Sequence, residues 1–145
     1  MKDLLNDYQF NSLVVTLRSF EEHLRQAQEW LDGREESGIL YQRHLRLSPQ
    51  QQDAAREEIA KAFQLITDLV NNFGLQPVEE NPLDLIRGNL SVSWANLIDT
   101  RSTGLGRYGD IDPGLIDVLD PSIERLAQAA IALTRILNPS SDQVE

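Results

Sequence analysis

The residues of this chain that could do chemistry are few, and the densest group lies between Asp99 and Gly114. Gly104-Leu105-Gly106-Arg107-Tyr108-Gly109 matches the pattern G-x-G-x-x-G. A dinucleotide site needs a strand before that motif and a helix N-terminus directly after it, so that backbone N–H groups and the helix dipole meet a pyrophosphate. Here helical periodicity precedes the glycines and an acidic turn follows them. The expected role is therefore conformational, with three glycines permitting positive φ in a tight reversal. Asp110-Ile111-Asp112-Pro113-Gly114 has the opening of a calcium loop, but Pro121 stands at position twelve, where a bidentate carboxylate would close the site. Neither motif leads to an expected cofactor or metal.

Other constellations fail for similar reasons. A di-metal carboxylate bundle uses Glu-x-x-His on two helices, whereas Phe20 and Tyr41 stand three residues before His23 and His44. With no cysteine, thiolate zinc sites, disulfides and cysteine nucleophiles are excluded. The serines and threonines have no histidine or lysine base near them in sequence, so no nucleophile is assigned. Arg18-x-x-x-x-His23 resembles the arginine-to-histidine spacing of helical-bundle ribonucleases of the HEPN type. The Arg101–Tyr108 stretch lacks the second histidine, and no residues are assigned on that resemblance. The catalytic set is empty.

What remains of the segment is a mixture of conformationally special residues with Arg101, Arg107, Tyr108 and Asp110. Arginine and tyrosine are enriched at interface hot spots, so a recognition loop is one reading. The competing reading is structural: Arg101 and Arg107 cap carbonyls of the third helix or pair with Asp110 and Asp112, and Tyr108 covers the end of the fold. Of the two tryptophans, Trp94 falls on a core stripe, and Trp30 is the better candidate for a partly exposed aromatic.

The elements that must position these residues read as helices. Phe10, Leu13, Leu17, Phe20, Leu24, Ala27 and Leu31 alternate spacings of three and four, which predicts a helix over residues 3–35 with a seam suited to shallow antiparallel packing. Ser48-Pro49 with Gln51 is a capping-box start. The helix it opens carries Ala55, Ile59, Ala62, Ile66, Leu69 and Phe73 and stops at Gly74. Between the two helices, Ile39, Leu40, Leu45 and Leu47 are expected to anchor a loop, and no strand is expected anywhere. Asn81-Pro82 opens a third helix through Leu83, Ile86, Leu90, Trp94 and Leu97, ending near Ser102. Asp112-Pro113 is read as a short turn through Leu119, and Asp120-Pro121 as the start of the fourth helix, with its seam at Ile123, Leu126, Ala130, Leu133 and Leu137. That last helix is apolar over more than a single seam; Ala129, Ala132 and Ile136 widen it, as in a helix that is central or packed on a second subunit.

Composition sets the bounds. The chain has 145 residues, 41% of them apolar, and a formal charge of −10. No apolar run reaches the roughly 20 residues of a membrane span, and no signal-peptide core follows the first residues. A bulk acidic surface disfavours nucleic acid and anionic membranes, and the expected location is cytoplasmic. The expected fold is all-α: one domain over residues 1–138, an antiparallel four-helix bundle running up-down-up-down, with a short helical turn before the last helix and a flexible tail at 139–145. The expected function is a non-enzymatic interaction or adaptor module, with a protein partner or a second copy held through the last helix. The alternatives are a helical-bundle hydrolase or nuclease, or an anion-sensing domain, using the glycine-rich loop 101–114. Candidate interaction residues are Arg101, Arg107, Tyr108, Asp110, Trp30, Ile131 and Ile136.

Overall fold

A computed structural model describes residues 4–138, and these divide into two units with the boundary between Val78 and Glu79. The expected flexible tail lies outside the described residues. The chain is mostly helical, as its periodicity predicts, and each unit is built on a pair of packed helices.

In the first unit, α1 (Asp7–Leu31) begins later than expected because Asn6 caps it: its side chain accepts from the Gln9 N–H at 2.8 Å while the Gln9 side chain accepts from the Asn6 N–H at 3.0 Å. It also ends four residues early. Gly33 takes φ +99°, a left-handed conformation open to glycine that breaks the helix. The second helix, α2 (Pro49–Phe73), has the predicted ends. Ser48 and Gln51 exchange capping hydrogen bonds of 3.1 Å, and Gly74 closes the helix at φ +63° with its N–H on the Val70 carbonyl. The predicted stripes then meet. Leu24, Leu31 and Ile59 form a buried cluster against Ala55, Ala62, Phe63 and Ile66. The helices run antiparallel, since the end of α1 meets the start of α2: Arg56 donates to the Leu31 carbonyl at 2.6 Å and pairs with Asp32. That guanidinium satisfies a carbonyl the helix end would otherwise leave open.

The segment between them corrects the sequence reading. Instead of a strandless loop, Glu35–Ser37 (β1) and Gln42–His44 (β2) pair antiparallel, Glu36 opposite Arg43. The apolar pattern gave no sign of this because the hairpin buries no face; its ladder is polar and tied by ions, Glu36 accepting from both Arg34 and Arg43. The expected anchors do not anchor. Ile39 and Leu40 sit at the hairpin tip fully exposed, and Leu45 and Leu47 are exposed as well.

The second unit contains α3 (Leu83–Asp99), α4 (Ser102–Leu105), a single 3₁₀ turn (Gly106–Tyr108) and α5 (Pro113–Ile136). The Asn81 side chain accepts from the Leu83 N–H at 3.1 Å, as its position before Pro82 predicted. The last helix departs from expectation at its start. It opens at Asp112-Pro113, where Asp112 accepts from the Gly114 N–H at 2.9 Å, and runs unbroken through Pro121. Proline in a helix interior removes one i→i−4 hydrogen bond, yet the helix continues. Asp120 is not its cap; its carboxylate turns to α4 instead. The short extra turn therefore lies at residues 102–108, before α5 rather than at its head.

Packing of α3 on α5 splits the predicted α5 seam in two. Ile123, Ala127, Ala130, Thr134 and Leu137 form the least exposed stripe of α5, on which Ala127 and Ala130 are buried. Leu115, Leu119, Ser122, Leu126, Ala129, Leu133 and Ile136 form a second stripe about 100° around the helix. On that second stripe Leu126, Leu133 and Ile136 are 54, 45 and 75% exposed. Trp94, expected in the core, is 39% exposed, more than the half-buried Trp30.

Candidate functional site

The reversal from α3 to α5 is built around one carboxylate. Asp120, on α5, accepts from the Ser102 N–H and from the Ser102 hydroxyl, both at 2.8 Å. It thereby caps α4 from another helix, and Ser102 is buried beneath it. The backbone N–H of Ser102 holds the Asp120 carboxyl below its usual range, helped by the Ser102 hydroxyl and the charge of Arg101 and opposed by desolvation. The glycines contribute differently from one another. Only Gly109 has positive φ, at +154°. Gly104 and Gly106 lie in the helical turns, and Gly104 is needed for closeness: a Cβ there would overlap the Asp99 carbonyl oxygen.

The candidate side chains of this loop are mostly engaged in holding it. Arg101 donates from Nε to the Ile98 carbonyl at 3.2 Å, closing the end of α3, and its guanidinium lies 3.7 Å from Glu124. Arg107 donates to the Gly104 carbonyl at 3.1 Å, on α4 rather than α3. Neither pairs with Asp110 or Asp112. Tyr108 is exposed rather than laid over the end of the unit, and Asp110 is exposed too. Arg101, Arg107, Tyr108 and Asp110 thus share one reversal. Among the described residues, no group of three or more histidines and carboxylates gathers as a metal site.

The other candidates lie elsewhere. Ile131 and Ile136 are both exposed on α5, but five residues apart they point about 140° away from each other. Ile136 extends the Leu119–Leu126–Leu133 row, and Ile131 does not. Trp30 belongs to the first unit, at the end of α1 under the Arg34 guanidinium, 5.1 Å from its ring centre.

Around Trp30 the structure assembles a group that the sequence reading passed over. Arg43 lies over the Tyr41 ring at 4.7 Å, and Arg46 donates from Nε to the His44 Nε2 at 2.8 Å. Trp30, Gln42, Arg43, His44, Leu45 and Arg46 line one shallow groove of about 660 Å³. The available signal was that residues 37–48 hold two arginines and no acid in a chain where acids outnumber bases 23 to 13. In comparisons with known proteins, no family model, no curated protein and no solved structure matches this chain.

Proposed function

We propose that the chain is a non-enzymatic helical interaction module that self-associates through the second stripe of α5. The observation that carries this is the row Leu115, Leu119, Ser122, Leu126, Ala129, Leu133 and Ile136. Its spacings of four and three repeat without interruption, and Leu126, Leu133 and Ile136 on it are exposed while Leu115 and Leu119 are half-buried. A period of 3.5 residues is what two helices need to stay in contact at a shallow angle. The row spans about 32 Å of helix at 1.5 Å per residue, so two copies could pair along most of α5. Small Ser122 and Ala129, set between the large side chains, allow close approach.

The single-chain four-helix bundle is the competing way to cover the same stripe. Light scattering on a size-exclusion column separates the two. On this proposal the protein is dimeric at high micromolar concentration, and Leu126→Glu with Leu133→Glu makes it monomeric while its helical circular dichroism persists. A strictly monomeric wild type would overturn self-association and leave the bundle as the account of the stripe. Arg101 and Arg107 each hold a backbone carbonyl through Nε, and no observation favours the hydrolase or anion-sensing readings.

A further inference from the structure

We propose that the outer edge of β2 is a docking site for an extended acidic peptide segment of a partner protein, added as a third strand. The ladder fixes which backbone groups face outward. Gly38 donates to the Tyr41 carbonyl at 2.8 Å, so 38 and 41 are a hydrogen-bonded pair of the register that sets Glu36 against Arg43. Antiparallel pairs alternate between bonded and non-bonded. Gln42 and His44 are therefore non-bonded positions whose N–H and C=O groups point away from β1. Among the described residues, no backbone group pairs with them. Such an edge is a template for strand addition.

Charge selects the occupant and the side. The β2 edge carries Arg43, His44 and Arg46, while the β1 edge carries Glu35. The acids near the hairpin are largely committed: Glu29 and Glu36 to Arg34, Glu36 also to Arg43, and Asp32 to Arg56. Among the described residues Arg46 has no carboxylate partner; its Nε donates to the His44 imidazole. A strand with carboxylates on alternate residues would present them on the face of His44 and Arg46, opposite the face on which Arg43 pairs with Glu36. Its other side chains would fall toward the groove lined by Trp30 and Leu45. The fully exposed Ile39 and Leu40 extend an apolar tip beyond that groove. Nucleic acid and anionic membrane also seek arginine, but the formal charge of −10 opposes both long polyanions and charged surfaces. A short segment is repelled far less.

This inference does not depend on α5. The test uses the full chain, ¹⁵N-labelled, with a fluorescein-tagged peptide alternating glutamate and valine over six residues. Saturable binding is expected at low salt by fluorescence anisotropy, with amide shifts confined to residues 41–46 and the Trp30 indole. Arg46→Gln, which removes no ladder contact, should weaken binding several-fold, and Arg43→Glu with Arg46→Glu by about tenfold or more, near 1.4 kcal/mol. A lysine–valine peptide should not bind, and N-methylation at alternate residues of the acidic peptide should abolish binding by removing strand donors. Absence of saturable binding up to ~1 mM, where the binding free energy is only about −4 kcal/mol, overturns the proposal. So does binding that survives N-methylation or the Arg46 change, shifts located on α5, or a preference for phosphatidylserine vesicles or single-stranded RNA.

Discussion

At the residue scale the most informative side chain is Asp120. Sequence position gave it the role of capping its own helix before Pro121, but the carboxylate instead holds the backbone and hydroxyl of Ser102, eighteen residues away. Because those donors bind the ionised form, the folded pKa of Asp120 is lowered. A lowered folded pKa means the unfolded state takes up the proton first, so the interaction stabilises the fold above the unfolded value, near 4, and is lost as pH falls through the folded value. Asp120→Asn should therefore melt at a lower temperature than wild type at pH 7. The gap should narrow steadily below pH 4 as the wild-type carboxylate protonates. Thermal melts of both proteins from pH 7 to pH 2.5 read this directly; a gap constant across that range would mean the charge contributes nothing.

At the scale of elements, the reversal between α3 and α5 depends on glycines for distinct reasons, and substitution separates them. Gly104→Ala drives a methyl into the Asp99 carbonyl and should cost about 2–3 kcal/mol, at the upper end of ordinary single changes. Gly106 has φ −57° and only Ile111 Cγ1 nearby, at 3.7 Å, so Gly106→Ala should be neutral or stabilising by up to about 1 kcal/mol. Urea titration of the two variants tests the contrast; equal losses would show that the backbone here is looser than described. The same region shows what was legible in the sequence. Ser48-Pro49-Gln51 and Gly74 were readable because a cap is written in adjacent residues. The stripes of α1 and α2 were readable because burial imposes a helical period. Asp120-Pro121 imitated a cap, and its true partner is distant in sequence. The hairpin at residues 35–44 escaped because its two strands are polar and largely exposed, which leaves no apolar alternation. In the candidate site, Arg101 at the end of α3 was legible as a tie-down, whereas the basic groove beside Trp30 required two strands that no pattern announced.

At the scale of the whole molecule, the acidic charge and the apolar stripe of α5 act against each other, and their balance gives a prediction of its own. Two copies that meet along α5 bring together formal charges of −10 each. The stripe itself carries no charged side chain, so its contribution is apolar and nearly independent of salt. The repulsion between the two acidic bodies is not, since the screening length falls from about 30 Å at 0.01 M to about 8 Å at 0.15 M ionic strength. Self-association should therefore strengthen with salt, the dimer dissociation constant falling several-fold over that interval in sedimentation equilibrium. A dimer held by interfacial ion pairs would weaken instead. Binding of the acidic peptide at β2 rests on arginine and should weaken over the same interval. Opposite salt responses of the two associations would then mark one as apolar and the other as ionic, each measured on the same protein in the same buffers.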